Sequence, residues 1–144
     1  MATVELRFSA QPEHVRTARL VAAAVARRAG VDEAVLDEVR LAVGEACSRA
    51  VGLHRSGGIA APVTVRLTEE EKQFSIEVGD EAPHAPHHPG EASGAVDEAE
   101  AEEDEMGLAV ISGLVDDVQV TSGEDGGQIK MTWPTTPPAA VLLS

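Results

Sequence analysis

A chain of 144 residues with 25 acids, 11 Lys and Arg, one Cys and 43% apolar residues has the material for a single domain around one core. Its formal charge of -14 excludes generic DNA or RNA binding, which rests on Lys and Arg neutralising phosphates, and it repels an anionic membrane. Cys47 has no partner for an internal disulfide. The chain also lacks a signal-peptide pattern and any apolar run of about 18 residues, so a reducing cytoplasm is the expected location.

Val4, Leu6 and Phe8 alternate with polar residues from Thr3 to Phe8, the period of a half-buried strand. Pro12 suits the first turn of a helix on which Val15, Ala18, Ala22, Val25 and Ala29 recur at helical spacing, and Gly30 stops it. Asp32 is placed to cap a second helix whose stripe is Val35, Val39, Ala42, Ala46 and Ala50. So many alanines on two helix faces imply close packing on a sheet. Beyond a Gly/Pro connector from Ser56 to Pro62, Val63, Val65 and Leu67 alternate with polar residues, and Phe74, Ile76 and Val78 repeat the pattern after a charged turn from Glu69 to Lys72. That is a hairpin. A third helix is predicted from about Met106 to Val115, then strands near Val118 to Thr121 and Gln128 to Trp133 joined by a turn from Gly123 to Gly127. Residues 135–144, with Pro137 and Pro138, read as a loose tail. The order strand, two helices, hairpin, helix, hairpin gives an α/β two-layer sandwich: a mostly antiparallel five-stranded sheet with three helices on one face. The single domain spans residues 1–134.

The segment 82–105 interrupts this pattern. It has no Lys or Arg, carries His84, His87 and His88, and holds eight of the 25 acids, which leaves 17 acids against 11 bases elsewhere. With few apolar residues and several Pro and Gly it cannot offset an ordering entropy of roughly 1 to 2 kcal/mol per residue, so it reads as a flexible acidic lid. Three His among acids could ligate a metal, but a solvated loop explains them more simply, and no metal site is assigned. His54 falls near a helix end, where a cation suits the dipole. Cys47 reads as a small core residue rather than a nucleophile, because no His or Asp is placed to activate it.

Four segments in order carry a resemblance. They are Glu45-Ala46-Cys47-Ser48-Arg49-Ala50 with His54 on the second helix; Asp80-Glu81-Ala82-Pro83-His84 at the end of the second hairpin strand; Glu105-Met106-Gly107-Leu108 opening the third helix; and Gly127-Gln128 before the last strand, which closes on Trp133-Pro134. In this order and spacing the chain resembles the anti-sigma-factor serine kinases of the RsbW and SpoIIAB type, in the GHKL ATPase superfamily, from Val4 to Pro134. The resemblance implies a Bergerat-like ATP-binding fold with ATP and Mg as cofactors. It also implies Glu45 as the base that activates a partner serine, Asp80 on the adenine amino group, Met106, Gly107 and Leu108 at the phosphates, and Gly127 and Gln128 supporting the nucleotide.

The departures from the family pattern carry equal physical weight. Where the family has an Mg-ligating Asn, this chain has Arg49, which offers no oxygen to a hard cation and adds positive charge. Arg49 could pair with phosphate directly, or it could pair with Glu45 one helical turn away for about 0.3 to 0.5 kcal/mol. Both glycines of the adenine-binding box are gone; if they used positive φ, Ala82 would cost about 1 kcal/mol and Pro83 could not follow. Glu105, behind Glu102, Glu103 and Asp104, occupies the helix start that should receive phosphate, so acids cap that dipole and repel a polyanion. The expectation is a GHKL fold whose ATP site is weakened or lost. Its function would be that of a partner-switching regulator that binds a sigma factor, a STAS-type anti-sigma antagonist or both, with a homodimer possible. The alternative is an active ATP-dependent serine/threonine kinase acting on the antagonist. A third reading is an interaction module whose acids imitate nucleic acid toward a basic partner.

Overall fold

The computed structural model describes residues 2–82, 108–115 and 117–135. Strand β1 is Ala2–Phe8, helix α1 Pro12–Ala29, helix α2 Leu36–Ser56, and β2 and β3 are Val63–Glu69 and Gln73–Asp80. Residues 108–114 are helical and are called α3. Strands β4, Asp117–Gly123, and β5, Gly126–Pro134, complete the sheet. Every pairing is antiparallel and the strand order is β1-β2-β3-β5-β4. The two-layer sandwich with five strands and three helices is therefore borne out.

The helices end where local chemistry requires. Pro12 opens α1, and Gly30 closes it in the left-handed conformation, φ 102°, returning its N–H to the carbonyls of Ala26 and Arg27. Asp32 does cap, but what it caps is a short 3-10 turn, Glu33–Val35; its carboxylate accepts from the Ala34 N–H at 3.1 Å, and α2 begins only at Leu36. α2 then runs on to Ser56, with Gly57 donating back to the Leu53 carbonyl.

One face of the sheet carries the core. Val63, Val65, Leu67, Phe74, Ile76, Val78, Ile129, Met131 and Trp133 point from the strands to a layer of Val15, Ala18, Ala22, Ala26, Val39, Ala42, Val43, Ala46 and Ala50. Small side chains on the facing surfaces let α1 and α2 lie close to each other and to the sheet. Ile111 and Val115 add α3 to the same cluster. On the solvated face Glu5, Arg66, Glu77 and Lys130 stand in register across β1, β2, β3 and β5, alternating in sign, with Arg66 3.6 Å from Glu5 and 3.8 Å from Glu77. Among the described residues no helix is long and apolar enough to cross a membrane.

The last hairpin differs from expectation. A five-residue turn from Gly123 to Gly127 is predicted, whereas the strands pair as far as Gly123 opposite Gly126, leaving only Glu124 and Asp125 in the turn. Gly126 permits this with φ 137°, a backbone few side chains adopt. The predicted lid lies outside the described residues except for Ala82, and so do its three His; of the tail, only Thr135 is described.

Candidate functional site at the end of β3

Asp80 is the last residue of β3, and its side chain is 3% exposed. The main chain pairs with Gly127 of β5 on one side, and Gly126 presses so closely that a Cβ there would lie 2.1 Å from the Asp80 carbonyl oxygen. Beyond Asp80 the chain turns back on its carboxylate: Oδ1 accepts a hydrogen bond from the Ala82 N–H at 3.0 Å. On the helix side, Arg49 of α2 brings its guanidinium to 4.0 Å from Oδ2, and that side chain is only 9% exposed. Each oxygen of the Asp80 carboxylate thus faces a partner supplied by the chain itself.

His54, assigned no chemistry from sequence and expected to sit as a cation near a helix end, is fully buried instead. Its Nδ1 lies 2.9 Å from the Ala61 carbonyl oxygen, and its Nε2 accepts the Glu81 N–H at 2.8 Å. Only a neutral ring with the proton on Nδ1 satisfies both bonds, because Nε2 must offer its lone pair. The imidazole clips the end of α2 to the approach of β2 and to the exit of β3. Two anchors therefore hold that exit, Arg49 on Asp80 and His54 on Glu81.

Ala82 is buried, and no described residue other than glycine has positive φ. The strain anticipated for alanine at this position does not arise, because the turn is built from the Asp80 carboxylate rather than from glycine geometry. Asp80, Gly127 and Gln128 do come together as expected. With Thr121, Ser122 and residues 123–126 they line an open cavity of about 350 Å³ whose charged lining, Asp80, Glu124 and Asp125, is wholly acidic. Glu45 goes elsewhere: it is exposed and lines a groove of about 260 Å³ between α1 and α2 with Pro12, Val15, Arg16, Arg19, Leu41, Gly44 and Ser48. The two cavities share no lining residue. Leu108 is half-buried against the core, while Pro83, Glu105, Met106 and Gly107 lie outside the described residues. Among the described residues no three His, Cys, Asp or Glu side chains converge as a metal site. Sequence reasoning missed Gly126 and His54. The signals were a glycine doublet directly after Glu124-Asp125, and a histidine in the last turn of an amphipathic helix.

Cys47 is buried, and desolvation pushes its thiol up from 9.0 to about 12. The folded state therefore keeps a proton that the unfolded chain releases above pH 9.0, so stability is full below that pH and falls as pH rises toward 12. One proton corresponds to a loss of roughly 1.4 kcal/mol per pH unit in this window. Urea midpoints measured at roughly pH 8 and roughly pH 10 should drop for the natural chain and hold more nearly level for Cys47→Ala. Equal drops would remove the thiol from the account.

The sequence profile of the histidine kinase-like ATPase domain matches residues 8–133. Serine-protein kinase RsbW of Bacillus velezensis is 28% identical over 142 residues, covering 90% of this chain and 83% of that protein. RsbW of Bacillus subtilis has the same identity and coverage, and that of Oceanobacillus iheyensis is 26% identical over 129 residues, 83% of this chain and 78% of that protein. The crystal structure of the RsbU and RsbW domains of a Mycobacterium tuberculosis protein superposes with a TM-score of 0.68 at 16% identity, over 95% of this chain but only 33% of the longer one. The fold, the order of the four segments and a profile match over nearly the whole chain agree: it belongs to the histidine kinase-like ATPase domain family and is similar to the RsbW serine-protein kinases.

Proposed function

We propose that this domain acts by binding, as a partner-switching regulator of the RsbW type. It would engage a sigma factor, a STAS-type antagonist or both, with its nucleotide site weakened or lost. The observation that carries the reading is the pairing of Arg49, half-buried, with the buried Asp80. The position at which the family resemblance implies an Mg ligand holds a guanidinium, and the carboxylate for which it implies adenine is engaged by that guanidinium and by the Ala82 N–H. Mg prefers oxygen ligands in octahedral array, which Arg49 cannot supply. The acidic lining at Glu124 and Asp125 gives an incoming polyanion no counter-charge. The residues present do not fit ATP and Mg.

The kinase reading has one observation in its favour: Glu45 is exposed beside Ser48, Arg16 and Arg19, where a partner hydroxyl could reach it. Calorimetric titration separates the two. The expected result for the purified chain is no Mg-dependent ATP affinity below a millimolar, together with partner binding that is the same with and without ATP. Submillimolar, Mg-dependent binding, or phosphate appearing on a serine of the antagonist, would establish the kinase instead.

A further inference from the structure

We infer that Arg49 is the built-in occupant of this site: a positioning residue that keeps Asp80 from a purine amino group and holds the β3 exit in one conformation whether or not a nucleotide is present. The inference rests on the functional reading above and names the residue that enforces it. Three observations lead to it. The Arg49 guanidinium, 9% exposed, lies 4.0 Å from an Asp80 carboxylate that is 3% exposed, so the two side chains are withdrawn from water together. A charge withdrawn from water to that degree is stabilised by a counter-charge at this distance, and removing that counter-charge is costly. The second carboxylate oxygen is already taken by the Ala82 N–H, which leaves Oδ2, the oxygen facing Arg49, as the one a ligand would have to win. Finally, the next peptide is pinned independently by His54, so the turn does not need a ligand to order it.

An adenine amino group would therefore have to displace a charged donor with a neutral one, in a site where the displaced guanidinium has little solvent to enter. Entering the 4.0 Å gap between carboxylate and guanidinium would weaken an ion pair in a site little exposed to water, where its attraction is least screened, and the exchange runs against the ligand. Substituting Arg49 by a short neutral residue reverses that balance without touching Asp80, Ala82 or His54.

The experiment uses the full chain and two variants, Arg49→Asn and Asp80→Asn, with the double variant closing the cycle. Adenosine is the first probe, because it carries the amino group but none of the phosphates that the nearby acids repel. Inosine, which has an oxygen in place of that amino group, is the control. Arg49→Asn should bind adenosine about tenfold or more tighter than the natural chain does, with no such gain for inosine. The double variant should lose the gain. Kinase activity should not appear in Arg49→Asn, since freeing Asp80 leaves Glu124 and Asp125, which give a polyanion no counter-charge.

Urea unfolding followed through Trp133, the sole tryptophan of a chain without tyrosine, supplies a readout independent of ligands. Asp80→Asn should be the more destabilised single variant, because it removes the carboxylate 4.0 Å from a guanidinium that is only 9% exposed. The double variant should be more stable than the sum of the single effects by at least about tenfold in the unfolding constant. Additive stabilities, or an unchanged adenosine affinity in Arg49→Asn, would overturn the assignment. The functional reading fails separately: if the natural chain itself binds ATP with Mg below a millimolar, the domain is a nucleotide binder. If neither the natural chain nor Arg49→Asn takes up adenosine, the site is closed by something other than Arg49.

Discussion

Replacing Gly126 by alanine should lower the melting temperature by roughly 10 °C, one of the two largest effects expected of any conservative change in this chain. Two costs coincide at this position. The backbone sits at φ 137°, where an L side chain is strained by about 1 to 3 kcal/mol. The new Cβ would also fall 2.1 Å from the Asp80 carbonyl oxygen and 3.0 Å from the Glu81 Cα, both backbone atoms that cannot swing aside. Relief requires β5 to part from β3 where Asp80 meets Gly127, so the damage is aimed at the site. Gly123→Ala is the control: it lies across the same two-residue turn, its Cβ meets nothing within 4 Å and its φ is not positive. Thermal melts of the two variants side by side should separate them clearly; similar modest losses in both would show that the hairpin relaxes freely.

The second large effect is expected at His54. His54→Leu preserves much of the volume but leaves the Glu81 N–H and the Ala61 carbonyl without the partner each now has. Orphaned polar groups cost about 1 to 3 kcal/mol each when buried; both bonds are part-buried and Glu81 is exposed, so the sum falls at the low end, roughly 2 to 3 kcal/mol, or about 5 to 10 °C. His54→Gln should recover part of the loss, because a side-chain amide can donate at one end and accept at the other. Hydrogen exchange adds a local test. The Glu81 amide should lose protection in His54→Leu well beyond the loss seen at core amides such as Ile76. Loss spread evenly over the molecule would mean that the histidine acts through bulk packing alone.

Periodicity decided most of the architecture. Val63, Val65 and Leu67, then Phe74, Ile76 and Val78, alternate as a one-sided strand must, and each is buried. The alanines at 18 and 22 and at 42, 46 and 50 lie at the packed face for the same reason, whereas Val25 and Ala29 of the first helix's expected stripe are half-buried and Ala26 is buried instead. Asp80, Gly127 and Gln128 are distant in sequence yet line one cavity, as their segment order implied. What periodicity could not supply was the direction of a polar side chain. Arg49 could have turned along its own helix toward Glu45 or outward to a phosphate; it reaches Asp80 across the layer instead, a contact 31 positions away that no local rule encodes. His54 presented the same difficulty, since a helix-end histidine looks alike in sequence whether it meets water or two backbone groups. The strain expected at Ala82 was misjudged because it borrowed the family's turn geometry, whereas this chain makes its own from the Asp80 carboxylate.

The strand order carries a consequence for how the molecule comes into being. β5 is the last of the five strands along the chain, but it lies between β3 and β4. During synthesis β1, β2 and β3 can associate while β4 waits for its neighbour, because among the described residues it pairs with β5 alone. Until Gly126–Pro134 has been made, β3 exposes a row of unpaired N–H and C=O groups from Gln73 to Asp80, an open edge of the kind that recruits other chains. A ribosome pausing, or a protease cutting, before Gly126 would thus release a product that lacks its keystone rather than a slightly shortened domain. Quality control in the cell should meet this protein as all or nothing, with fragments removed or aggregated and few partly functional forms surviving.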